Sequence, residues 1–179
     1  RRTASKELPL FTQASDYDAV VVADVRGDFG EYVPFNTWLP RPVVGTQGMS
    51  PVTWHRVVES WGAAQLQNRF RELASRDMNS EDYAAWTAVR SIGNAITDLN
   101  SANPAEIRNY LFSDKFQLAA FKGRKLTFRD WNGQLRQPIP LVHSRGLVAR
   151  APFEGFLHPN SQMDTLGFDR PESGCRING

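Results

Sequence analysis

The sequence predicts an α/β fold, and three observations predict it. A β-branched run, Asp18-Ala19-Val20-Val21-Val22-Ala23-Asp24, lies between acidic residues near the start. Apolar residues then recur at helical spacing, and two of these stretches open on a cap residue followed by proline, Ser50-Pro51 and Asn103-Pro104. Later, residues 125–129 alternate at period two and meet Asn132-Gly133, with a returning strand at 134–142. Strands alternating with helices early, and a hairpin late, belong to the α/β class.

Taken in order, residues 18–24 have the length and continuous apolarity of a strand buried on both faces, as in a parallel sheet. Residues 25–32 mix glycines with charged side chains and read as a loop. Pro34, Pro40, Pro42 and Pro51 punctuate the next stretch, leaving Val43-Val44 as a second strand that ends at Gly45-Thr46-Gln47-Gly48. Ser50 as N-cap and Pro51 at the first helical position predict a helix carrying Trp54, Val57, Val58, Trp61, Leu66, Phe70 and Leu73. A second helix starts after Ser80, where Glu81 and Asp82 suit the positive end of its dipole. Its predicted apolar face is Tyr83, Trp86, Val89, Ile92, Ile96 and Leu99. Asn103-Pro104-Ala105-Glu106 starts a third, through Ile107, Leu111 and Phe112. Lys125-Leu126-Thr127-Phe128-Arg129 alternates at period two and meets Asn132-Gly133, the preferred type I′ turn pair. The returning strand, residues 134–142, is confined to an edge by Pro138 and Pro140. Beyond Arg150 the pattern dissolves into glycine, proline and polar residues, a tail that wraps a surface.

Composition narrows the function. In 179 residues, 41% are hydrophobic and 11% aromatic, enough for a sizeable core and too much for a disordered chain. Lys plus Arg number 21 against 19 Asp plus Glu, and the basic residues are scattered. That balance gives no electrostatic case for nucleic acid or an anionic membrane as partner. The longest apolar run, residues 19–23, is far too short to span a bilayer. One cysteine, Cys175, excludes an internal disulfide framework and a multi-cysteine zinc site. Arg1-Arg2-Thr3-Ala4-Ser5-Lys6 has no apolar stretch behind it of the kind a signal peptide needs. A cytoplasmic protein and a precursor that starts further upstream both fit it.

The catalytic signatures are missing: no G-x-S-x-G elbow, P-loop, G-x-G-x-x-G or H-E-x-x-H occurs. His55, His143 and His158 lack ligand spacing and read as structural. Cys175, beside Gly174, reads as a bystander thiol. The strand ends are richer. Asp24, Arg26, Asp28 and Glu31 crowd the end of the first strand, and Gly45-Thr46-Gln47-Gly48 holds the same position after the second. In open α/β sheets ligands bind beyond such ends. Asp24, Arg26, Thr46 and Gln47 are therefore the candidate ligand-binding residues, against a reading in which these loops are solvated connections and Arg26 pairs a neighbouring carboxylate. Trp54, Trp61, Trp86 and Trp131 could stack on a planar ligand, though the first three, at helical spacing, read as core.

Several segments together resemble a known family. The strand at 18–23, then Arg41-Pro42-Val43-Val44-Gly45-Thr46-Gln47-Gly48, resembles the second lobe of type I periplasmic binding proteins. Tyr83-Ala84-Ala85-Trp86-Thr87-Ala88-Val89-Arg90-Ser91-Ile92 is similar to the helix that returns to their first lobe. Phe121-Lys122-Gly123-Arg124-Lys125-Leu126-Thr127-Phe128, with Asn132-Gly133-Gln134 and Gln137-Pro138-Ile139, resembles their late hairpin. Order and spacing match the branched-chain amino-acid-binding group of ABC transporter components. Pro40-Arg41-Pro42-Val43-Val44-Gly45-Thr46, Trp61-Gly62-Ala63-Ala64-Gln65-Leu66-Gln67, Asp82-Tyr83-Ala84-Ala85-Trp86 and Asp130-Trp131-Asn132-Gly133-Gln134-Leu135-Arg136-Gln137-Pro138 further resemble the subgroup encoded with PQQ-dependent alcohol oxidation.

The resemblance implies part of a two-lobed fold of parallel sheets flanked by helices. Residues 1–79 would belong to the second lobe, 80–120 to helices returning to the first lobe, and 121–179 to the hairpin, hinge crossing and tail. It implies the C-terminal part of a longer precursor, whose complementary N-terminal part would cover the helices starting near Ser80 and Asn103. A non-enzymatic protein follows, with no cofactor. It would capture a small polar solute in the periplasm of a Gram-negative bacterium and deliver it to an ABC permease. The rival within the same fold is a sensor that reports the solute to a receptor or regulator. Asp24, Arg26 and Gln47 fall near the second-lobe contacts of the amino-acid binders and differ from them, since none is aromatic and only Asp24 is acidic. An alcohol oxidation product, a cofactor-related compound or a hard cation held by Asp24, Asp28 and Glu31 would each suit.

Overall fold

The computed structural model describes residues 4–24, 26, 28–46, 49–143 and 146–175. The chain is mixed α/β, with small sheets and helices. Residues 1–51 with 141–148 form one unit, and residues 52–140 with 149–179 form the other.

In the first unit, α1 (Ala4–Phe11) precedes β1 (Val20–Val22), a 3₁₀ turn (Gly30–Phe35) and β2 (Val43–Gly45). β1 and β2 run parallel, pairing Val20 with Val43, Val21 with Val44 and Val22 with Gly45. Gly45 has φ +123°, and a side chain there would strike the Val22 carbonyl, so glycine is required at the end of the pair. Leu8, Val22 and Val33 form the small core, joined by Val20, Tyr32 and Val43. Burial of β1 on both faces does not hold. Val22 is buried but Val21 is 77% exposed, because α1 and the 3₁₀ turn pack on one side of the pair while alternate side chains point to opposite faces.

β3 (Ser50–Pro51) pairs antiparallel with β7 (Ile139–His143), Ser50 opposite Val142 and Pro51 opposite Leu141, in a sheet of order β3-β7-β8, with β8 at Gly146–Ala151. Ser50-Pro51 therefore does not open a helix. The ladder to β7 claims this dipeptide, and proline sits where edge strands tolerate it. The helix expected there begins only at α2 (Ala63–Ala74), after a 3₁₀ turn at Ser60–Gly62 in which Trp61 has φ +55° and Gly62 +80°.

The second unit holds α2, α3 (Ser80–Leu99), α4 (Pro104–Leu111) and a sheet of order β4-β5-β6 from Leu118–Ala119, Lys125–Phe128 and Leu135–Arg136. Helix α3 begins where its acidic first turn predicts, on a capping box. The Asn79 side chain accepts from the Asp82 N–H at 2.9 Å, and the Asp82 carboxylate accepts from the Asn79 N–H at 3.0 Å. Asn103 caps α4 with Pro104 in its first turn, as the sequence predicts.

The core gathers Trp54, Val58, Leu66, Met78, Tyr83, Phe116, Leu118 and Leu126. An aromatic row runs through it, with centroids 4.8 Å apart for Trp54–Tyr83, 5.9 Å for Tyr83–Trp86 and 5.6 Å for Trp86–Phe121. The apolar face expected of α3 is only partly the buried one. Tyr83, Thr87, Ser91 and Ala95 face inward, while Val89 is 73% and Ile92 47% exposed. Tyr83 and Trp86 anchor the first turns in the aromatic row, and α4 packs along the same helix. The Thr87 and Ser91 hydroxyls can be buried because each donates to its own helix, to the Ala84 carbonyl at 2.9 Å and the Thr87 carbonyl at 2.7 Å.

The late hairpin exists, but not with the expected turn. Thr127 faces Arg136 and Phe128 faces Leu135, and the Arg129 N–H donates to the Gln134 carbonyl at 2.8 Å. The connection is thus residues 130–133, closed by the Gly133 N–H to the Arg129 carbonyl at 2.9 Å, with Gly133 alone in the left-handed region at φ +71°. A type I′ pair needs positive φ at Asn132 as well. Burial of Trp131, beneath the Arg129 guanidinium at 5.5 Å, draws that residue into the loop and shifts the register. The return strand breaks at Gln137-Pro138, and β7 continues into the other sheet.

Candidate functional site

The parallel register of β1 and β2 brings their two ends together. The Asp24 N–H donates to Thr46 Oγ1 at 2.8 Å. Asp24 is buried, and its carboxylate accepts from the N–H groups of Asp28, Phe29 and Gly30 at 3.2, 3.1 and 2.6 Å. A carboxylate holding three backbone donors organises its own loop. Arg26 is exposed, as is Thr46. Gln47 lies outside the described residues. The structure therefore brings Asp24 and Thr46 together, and the groups they turn toward each other are engaged in holding the loops. Among the described residues no set of three or more His, Cys, Asp or Glu side chains could hold a metal ion, so Asp24, Asp28 and Glu31 are not gathered as cation ligands.

The second unit contains a different kind of site, which the sequence reading missed. Trp61, Lys122, Arg124, Pro138 and Arg150 line a cavity of about 230 Å³. Trp61, expected in the core, is 51% exposed. Its indole carries the Arg150 guanidinium 3.9 Å above the ring, within cation–π range. Two residues here, Trp61 (φ +55°) and Phe121 (φ +58°), hold left-handed backbone, which costs side-chain-bearing residues about 1–2 kcal/mol each. Strain of this kind persists only where the surroundings enforce it.

Lys122 forms the floor. It is 4% exposed, and its ammonium donates to the Thr53 carbonyl and, at 3.4 Å, to the Pro138 carbonyl. It also lies 4.7 Å from the centroid of the Tyr83 ring. Burial, and secondarily the charge of Arg150, lower the Lys122 amine to about 7. Burial likewise lowers Arg150 below its ordinary value. Arg124 donates to Gln162 Oε1. Among the described residues no carboxylate pairs with Lys122, Arg124 or Arg150. One sequence signal pointed this way: Lys122-Gly123-Arg124 sets two cations around a glycine between apolar segments. Trp61 and Arg150 are too distant in sequence to be joined to it by pattern.

A roomier cavity, about 430 Å³, lies beside the hairpin and includes Arg129, Arg136, Gln137 and Met163 in its wall. Its charges answer one another. Asp164 accepts from Arg129 at 3.0 Å and from Arg136 at 2.6 Å, and Gln137 Oε1 is buried with no hydrogen-bond partner among the described residues. His158 pairs with Asp169 at 2.9 Å and acts structurally, as its spacing predicts.

No family model, curated protein or solved structure matches the chain.

Proposed function

We propose that this chain is the solute-capturing component of an ABC import system, with the two-lobed type I periplasmic binding architecture, acting in the periplasm alongside PQQ-dependent alcohol metabolism. The residue-level resemblance of four ordered motifs supports the family. The observation that carries capture is the parallel β1–β2 pair, which places two polar loops side by side at one end, joined from Asp24 to Thr46 at 2.8 Å. Ligands of open α/β sheets bind beyond such strand ends. With Asp24 and Thr46 Oγ1 holding the two loops together, the exposed Arg26 side chain and the outer face of the exposed Thr46 are what the strand ends offer a small polar solute. Capture works by closure: polar groups on both lobes make contacts only in the closed form, which the permease then recognises. The chemistry of this reading is binding, not bond-making.

Fractionation of the source cell, with the mass of the mature product, tests location. Calorimetry of that product against polyols, short aldehydes, carboxylates and divalent cations tests capture. Expected are recovery from the periplasm and saturable binding of one class, weakened by Arg26→Ala and Thr46→Val. Recovery from the cytoplasm, or no saturable binding by any class, overturns the reading.

A further inference from the structure

Arg150 is placed as a ligand-binding arginine is placed. Stacking on Trp61 at 3.9 Å occupies the face of the guanidinium, while its five N–H donors lie in its plane. None of those donors has a partner among the described residues. Burial of Arg150 is partial, and it shares its cavity with the Arg124 guanidinium and the Lys122 amine, so basic groups converge on about 230 Å³ with no described carboxylate to offset them. Like charges brought together in a partly desolvated site repel, and an anion among them relieves that repulsion.

The rest of the wall narrows the anion. Pro138 and Pro152 offer no backbone N–H, and Ala151 adds an apolar surface beside them. Inorganic phosphate is the rival anion, since Arg124 and Lys122 also line the cavity. A planar two-oxygen group on a carbon body matches both the guanidinium fork and the apolar rim. The volume admits a body of only a few carbons or one ring, about eight waters' worth of liquid.

We propose that the pocket of Trp61, Lys122, Arg124 and Arg150 binds the carboxylate of a small organic acid, with Arg150 as its principal donor and Trp61 holding that guanidinium in place. Lys122 supplies positive charge from the floor while bridging the Thr53 and Pro138 carbonyls. The site stands apart from the import reading, since Asp24, Arg26 and Thr46 belong to the other unit.

Calorimetric titration of the full chain with benzoate tests it, with benzamide as the uncharged isostere and inorganic phosphate as the rival anion. Benzoate should bind with a Kd of about 1 mM or tighter, and benzamide at least about tenfold more weakly. Arg150→Gln should weaken benzoate by about tenfold or more while keeping the wild-type unfolding midpoint, and Arg124→Gln by several-fold. Trp61→Leu should also weaken it, by freeing the guanidinium. Should Arg150→Gln fail to fold, the benzoate–benzamide difference and Arg124→Gln decide. Equal binding of benzamide, tighter binding of phosphate, or benzoate affinity unchanged in the folded variants overturns the proposal.

Discussion

Gly123 packs directly against the indole of Trp61: a Cβ built on Gly123 would lie 2.6 Å from Trp61 Cε2. Gly123 also has φ +73°, a conformation only glycine adopts without cost. Gly123→Ala should therefore displace Trp61 and lower stability by about 1–3 kcal/mol. Chemical denaturation measures the loss. The Trp61 indole N–H resonance should move with it, since the ring must shift to admit the methyl group.

Lys122 gives the fold a pH dependence whose sign follows from its burial. Its amine is lowered from 10.5 to about 7 in the native state. Between those two values the unfolded chain holds a proton that the native chain has released. Stability should rise with pH across that window, by no more than about 1.4 kcal/mol per pH unit, and be flat in this term below it. Denaturation midpoints measured through the window should show the rise in the wild type and its loss in Lys122→Met.

Asp164 is shared by Arg129 and Arg136, and the Arg129 side chain is only 3% exposed. Asp164→Ala should cost about 3–5 kcal/mol, because it leaves a buried guanidinium without its counter-charge. Burial opposes ionisation of Asp164 most strongly, yet the hydrogen bonds from Arg136 and Arg129 together hold its carboxyl below 3.8. This contribution should be complete above that value and fade as pH falls through the lower native one. Unfolding measured in acid on wild type and Asp164→Asn separates the two.

The hairpin turn makes opposite demands on adjacent residues. Gly133 has φ +71°, so Gly133→Val should cost about 1–2 kcal/mol. Asn132 is outside the left-handed region and accepts one exposed bond from the Gln134 N–H at 3.0 Å. Asn132→Ala should then cost under about 1 kcal/mol. Comparable losses at both positions in thermal unfolding would restore the type I′ turn.

On α3, Val89 and Ile92 face outward. Val89→Lys and Ile92→Gln should stay within about 0.5 kcal/mol of wild type, as exposed positions do. A loss of 2 kcal/mol or more, about the cost of spoiling a buried aliphatic site, would place that face in the core.

Local signals were the legible ones. Asn103-Pro104 marked the start of α4, and the valines at 20–22 and 43–44 marked the parallel pair, because caps and β-branched runs act within a few residues. Ser50-Pro51 carried a helix signal that lost to pairing with Leu141 and Val142, partners ninety residues away and invisible to local pattern. On α3 the apolar stripe was real, but it did not decide which face is buried. Thr87 and Ser91 could take the buried face because their hydroxyls are satisfied within their own helix. Trp61 read as core from its spacing, yet its left-handed backbone breaks the helical phase just before α2. The cationic pocket joins residues 61, 122 and 150, and no spacing rule connects positions that far apart.

Arg129 gives the irregular stretch after β8 an unusual fate. Besides Asp164, it donates to the Leu166 carbonyl at 2.7 Å and the Phe168 carbonyl at 3.3 Å. A protease must draw several residues of extended chain into its cleft. Residues 164–168 cannot be drawn out without surrendering all of those bonds at once. This segment should therefore resist proteolytic nicking and come free only when the hairpin opens, although it contains little regular secondary structure.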